Sequence, residues 1–213
     1  MKNIIDKKFF SELIGTYILA SIVLITLIPS IPFPIATPIA AALTLGLCVY
    51  MFGNISGCHL NPAISFSMLL LKQISVLTLL KYWFAQIIGG LVAYIMINLY
   101  VPVGKEAWLI TNHTASFSGI GELLGSAFFS FGVFSTIYIK INKNIVGIIV
   151  AVSLLIGITI SHNASYGVLN PVIALATKAW SLDYLLMPFF GALIGSFVSK
   201  LLFDHIDTLE TSS

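Results

Sequence analysis

Six predominantly apolar runs, at 9–28, 38–54, 82–101, 120–139, 145–160 and 184–203, constrain the fold of this chain more than any other feature. A helix needs about 20 such residues to cross a bilayer core roughly 30 Å thick, and lipid offers no partner for unpaired backbone groups. With 58% hydrophobic and 8% charged residues and a mean hydropathy of +1.03, the chain has too few charges to clothe a soluble globule. The first run follows Lys7 and Lys8. It is too long for a signal-peptide core and lacks a small-residue cleavage site, so it reads as a span.

Two apolar pieces, 62–71 and 171–180, are too short to cross, and each begins at an Asn-Pro pair: "GCHLNPAISF" from Gly57 and "GVLNPVIALA" from Gly167. The repetition is not confined to them. "ELIGTYILAS" from Glu12 resembles "ELLGSAFFSF" from Glu122, and "AQIIGGLVA" from Ala85 echoes "MPFFGALIG" from Met187. The chain therefore reads as a duplication, with one repeat at about 9–101 and the other at about 120–203 of a single transmembrane domain, 1–213. Three full spans per repeat force the second to enter from the opposite side, which makes the repeats inverted. The fold class predicted is an all-α membrane protein of six transmembrane helices and two re-entrant half-helices.

Lysine placement orients it. With the N-terminus in the cytoplasm, only Lys105 and Lys178 fall outside, as the positive-inside rule requires. A multi-pass protein of the cell membrane with both termini cytoplasmic is expected. The Pro-rich "IPSIPFPIATP" then forms an outer connection, and 101–119 is the longer outer loop joining the halves.

Asn is a favoured helix N-cap, and Pro suits the first helical position because its missing N–H has no intrahelical partner there in any case. Asn61-Pro62 and Asn170-Pro171 thus read as half-helix starts that inversion brings together near the midplane, positive ends facing. If each Asn caps with its carbonyl oxygen, its NH₂ is left to donate into a shared cavity. The stretches 54–60 and 161–169 would line that path with irregular backbone. One Asn-Pro alone is an ordinary surface cap; two at equivalent repeat positions point to a pore for neutral solutes.

These residues carry a family resemblance. "ISGCHLNPAIS" and "GVLNPVIALA" resemble the two signature loops of the aquaporin and glycerol-facilitator family, and "ELIGTYIL", "YWFAQIIGGLVA" and "MPFFGALIG" resemble its first, third and sixth spans. The resemblance implies a homotetramer of right-handed six-helix bundles, each with its own pore. Its donor motifs would be Asn61, Pro62 and Ala63 with Asn170, Pro171 and Val172, the valine standing where the family has alanine. The outer selectivity filter would fall on Ala41, Ile158, Gly167 and Ile173. The family's filter arginine would sit at Ile173, yet all ten basic residues are lysines. Exclusion of protons and cations then rests on the half-helix dipoles alone. The expectation is a wide apolar mouth that passes small neutral molecules with some apolar surface and conducts less water than a dedicated water channel. Ala174, where glycerol channels carry Asp, argues against a simple glycerol facilitator, whereas Lys178 and Leu185 resemble glycerol-channel choices.

Glu12 and Glu122 are carboxylates inside spans, read as acceptors for loop N–H groups rather than as proton relays. His59 is expected at the inner vestibule, where protonation would modulate flux, and His162 and Tyr166 at the outer approach. Beside Cys58 alone, His59 lacks the ligands a metal needs. Cys48 and Cys58 read as buried free thiols, His113 and His205 as solvated, and Trp83, Trp108 and Trp180 as interface aromatics. Gly15, Gly89, Gly90, Gly125, Gly191 and Gly195 read as close helix contacts. No catalytic, phosphate-binding or metal set is present, so no enzyme and no cofactor is expected. The partners implied are the bilayer and water or a small neutral solute, with no nucleic acid. The rival readings are an ion- or proton-coupled transporter of similar build and a closed, junctional member of the family.

Overall fold

The computed structural model describes residues 6–28, 35–100 and 117–204, and for Tyr100 the backbone alone. The centre of the Pro-rich connection, most of the 101–119 loop, Trp108, His113 and His205 lie outside the described residues. Among the described residues eight helices form: α1 Lys7–Thr26, α2 Thr37–Ser56, α3 Pro62–Leu70, α4 Val76–Tyr100, α5 Ser118–Tyr138, α6 Lys143–Ser161, α7 Pro171–Ala176 and α8 Leu182–Phe203. Six are long and apolar enough to cross a membrane. α3, with nine residues, and α7, with six, are the half-helices.

Local chemistry sets the ends. The Asp6 carboxylate accepts from the N–H groups of Lys8 and Phe9, both at 3.0 Å, which starts α1. The third span begins at Val76 rather than 82, because Ser75 Oγ accepts from Thr78 N–H at 3.2 Å and the Lys81 ammonium is held 3.1 Å from Asp6. α2 and α6 continue through Ser56 and Ser161, into stretches expected to be irregular; a helix keeps its own backbone bonded at membrane depth. α7 stops at Ala176, short of residue 180. Thr177 Oγ1 donates back to the Ile173 carbonyl at 2.8 Å, and Lys178 turns left-handed at φ +60° while Ala179 N–H closes on the Ala174 carbonyl.

The two halves pack alike. α1 lies against α2 and α4, as α5 lies against α6 and α8, and α2 meets α6 between the halves. Each half-helix sits against the last span of the other half, α3 on α8 and α7 on α4. Lipid gives helices no hydrophobic reason to associate, so close backbone approach must hold them. A Cβ on Gly89 would stand 2.5 Å from the Leu13 carbonyl oxygen, and one on Gly191 would collide with that of Leu123, its repeat counterpart. Large apolar side chains such as Leu43, Leu99 and Leu201 point outward, where lipid would cover them.

Candidate functional site

The loops before the half-helices are wound tightly. Gly57, Cys58 and Leu60 take φ of +89°, +53° and +48°, and Gly167 and Leu169 take +63° and +52°. Residues other than glycine tolerate this region only where their surroundings hold them there. Glu12 does so for the first loop: Oε1 accepts from Ser56 Oγ at 2.7 Å and His59 N–H at 2.9 Å, and Oε2 from Leu60 N–H at 2.8 Å and Gln86 Nε2 at 2.9 Å. Glu122 does so for the second, accepting from Ser165 Oγ at 2.8 Å, Val168 N–H at 2.9 Å and Leu169 N–H at 2.7 Å. Both carboxylates are fully buried. Two of the span glycines receive loop side chains: a Cβ on Gly15 would stand 2.6 Å from Leu60 Cδ2, and one on Gly125 2.7 Å from Leu169 Cδ2.

The loops deliver the asparagines. Asn61 Oδ1 accepts from Ala63 N–H at 2.9 Å and Asn170 Oδ1 from Val172 N–H at 3.0 Å, with Pro62 and Pro171 in the first helical turn. The amide nitrogens cross over. Asn61 Nδ2 donates to the Leu169 carbonyl, and Asn170 Nδ2 to that of Leu60, both at 2.9 Å. Each NH₂, expected to be free, has one of its two hydrogens engaged by the opposite half, and the other remains to donate.

One cavity of about 180 Å³ brings together Asn61, Asn170, Ala41, Ile158, Gly167, Ile173, His162 and Tyr166. Among the described residues no Lys, Asp or Glu lines it. Gly167 packs so closely that a Cβ would stand 2.9 Å from Ile158 Cγ2. Tyr166 N–H reaches the Tyr184 hydroxyl at 3.3 Å. A second cavity of about 530 Å³, which Lys8 and Lys143 border together with Tyr50, Asn54 and Cys58, shares Leu45, His59 and Phe129 with the first. His59 thus stands at their junction, buried, its Nδ1 3.0 Å from Ser65 Oγ and its ring edge-on to Tyr82. Cys48 and Cys58 are buried free thiols. Among the described residues no three metal-ligating side chains gather.

Sequence reasoning missed two residues that hold these loops. Gln86 joins Glu12 to Ser65, with Nε2 2.9 and 3.0 Å from their oxygens. An amide inside a span is a signal in its own right, but the repeat comparison hides it, because Pro188 stands at the matching place. Trp83, expected as an interface aromatic, donates from Nε1 to the Pro62 carbonyl at 3.0 Å and so pins the start of α3. Trp180 is exposed.

Six apolar helices around two abutting half-helix tips, with a cavity on either side of the junction, define a membrane channel. The sequence profile of the major intrinsic protein family matches residues 2–203, and the chain belongs to that family. It is 26% identical over 215 residues to the glycerol uptake facilitator protein-like 6 of Lactiplantibacillus plantarum, covering 92% of this chain and 98% of that one. It is 28% identical over 183 residues to aquaporin TIP1-2 of Zea mays, covering 81% and 70%. The solved structure of the aquaglyceroporin from Plasmodium falciparum shares its fold, with a TM-score of 0.63 at 19% identity over 97% of this chain and 98% of the other. The protein is accordingly a multi-pass membrane channel for water or small solutes and not an enzyme.

Proposed function

We propose that the channel passes small neutral solutes bearing some apolar surface in preference to water. One observation carries this reading: Ala41, Ile158, Gly167 and Ile173 border a single cavity together with the Asn61 and Asn170 amides, and among the described residues no Lys, Asp or Glu borders it. Water gives up hydrogen bonds along such a wall and regains few, whereas a solute with methylene surface loses less. Asn61 and Asn170 are the donors that a solute meets at the tips of α3 and α7. Glu12 and Glu122 keep those tips in place, Gly167 gives room for the second loop, and His59, His162 and Tyr166 shape the approaches. Cations are opposed by the converging half-helix ends rather than by a filter charge. The working unit is a homotetramer in the cell membrane with both termini cytoplasmic.

Family membership does not favour the ion-coupled transporter or the closed junctional member. Stopped-flow light scattering on proteoliposomes is the test, comparing water with glycerol and urea. Solute permeation with modest water flux is expected; rapid water flux with no solute permeation would overturn the apolar-mouth reading.

A further inference from the structure

The two halves differ where the half-helix tips are packed. The first tip carries Ala63 and the second, at the equivalent place, Val172; both are buried. Because each half-helix leans on the other half's last span, the relevant counterparts are Ala192 on α8 and Gly90 on α4, which align when "MPFFGALIG" is laid on "AQIIGGLVA". Bulk added to the second tip therefore coincides with a side chain missing from the span beside it.

The contact is direct. A Cβ on Gly90 would stand 2.5 Å from Val172 Cγ1, and the next nearest atoms, at 3.6 and 4.0 Å, also belong to Val172. Gly89, its neighbour, answers instead to the backbone of α1 at Leu13 and Tyr17. Both glycines are close helix contacts, Gly89 with a neighbouring span and Gly90 with the half-helix α7. Val172 in turn is tied to the donor: its N–H is what Asn170 Oδ1 accepts at 3.0 Å, while Asn170 Nδ2 reaches the Leu60 carbonyl. A sideways shift of Val172 turns the Asn170 amide.

We propose that Gly90 is a positioning residue for the pore, admitting Val172 and through it fixing where Asn170 presents its remaining hydrogen. This rests on the pore reading above. Protein interiors yield little to added volume, so a methyl group at position 90 displaces the tip of α7 rather than being absorbed.

The test reconstitutes the full chain as Gly90→Ala, Val172→Ala and the double variant, and measures glycerol, urea and water flux per inserted protein together with thermal unfolding in detergent. Gly90→Ala should lower solute flux by about tenfold, the scale of a buried overpacking, and change the urea-to-glycerol ratio, which mere loss of folded protein leaves constant. Adding Val172→Ala should recover most of both. Unchanged flux and ratio in Gly90→Ala, or failure of Val172→Ala to rescue, overturns the proposal. If Gly90→Ala does not insert, insertion of the double variant supports the pair and its failure refutes it. Absence of any flux in the unaltered protein would sink the pore reading, and coupling between the two substitutions in the unfolding midpoints would still decide the packing.

Discussion

The side-chain nitrogens of Asn61 and Asn170 each stand 2.9 Å from the carbonyl oxygen of the residue preceding the other asparagine. Each half-helix tip therefore holds the loop that aims the opposite tip, and the donors of the two halves are set together rather than one by one.

Asn61→Asp keeps an equally good N-cap but replaces the donor to the Leu169 carbonyl with an acceptor. Losing that buried bond costs about 1–3 kcal/mol, and solute flux should fall with it. Asn170→Asp should behave alike through Leu60. Thermal unfolding and glycerol flux of the two variants are the measurements; undiminished flux would show that the crossed bonds do not set the pore.

Glu12→Gln leaves one acceptor oxygen where two take four bonds, and turns an NH₂ toward donors that already point inward. Hydrogen bonds to a buried charge are worth about 1.5–3 kcal/mol each, so the loss should reach about 3 kcal/mol. Glu122→Gln should cost less, since no counterpart of Gln86 bonds Glu122 among the described residues. A midpoint for Glu12→Gln no lower than that of Glu122→Gln would contradict this ranking.

Asp6 lies just ahead of α1, where the Phe9 N–H holds its carboxyl below the ordinary value of 3.8, against partial burial and with help from Lys81. A carboxyl depressed in the folded state stabilises above its unfolded pKa, and that contribution is lost as pH falls through the lower folded value. Unfolding midpoints should therefore drop between about pH 5 and about pH 3 in the unaltered protein and drop less in Asp6→Asn, which keeps the cap. Above that window Asp6→Asn should cost less than about 1 kcal/mol, because the pair with Lys81 is partly exposed.

The spans, the half-helices and their inversion were legible because lipid forces length and hydropathy into the sequence, and because the Asn-Pro pairs recur at matching places. Helix ends were less so. Val76 and Ala176 are set by polar contacts, those of Ser75 and Thr177 among them, which hydropathy does not register. Within the pore, the engaged hydrogen of each asparagine and the meeting of Gly90 with Val172 depend on which half lies against which. A comparison that aligns the halves side by side does not contain that pairing. Gln86 was lost for the opposite reason, since it has no repeat partner to draw attention to it.

The proposed selectivity is tested most directly at Ile173. It borders the cavity of about 180 Å³, so Ile173→Arg would place a planar cation with five donors in a space now walled mainly by apolar groups. The guanidinium narrows the passage and gives water hydrogen bonds that it lacks there. Glycerol and urea flux should fall by about tenfold, equivalent to about 1.4 kcal/mol of added barrier, while water flux falls less, so the water-to-solute ratio rises. Ile173→Leu conserves volume, a change that well-packed sites usually accept for less than about 1.5 kcal/mol, and should leave the ratio near its starting value. Both variants are read by the same light-scattering assay. An arginine variant with an unaltered water-to-solute ratio would mean that selection occurs elsewhere along the passage, with the junction at His59 the next place to look, because both cavities close on it.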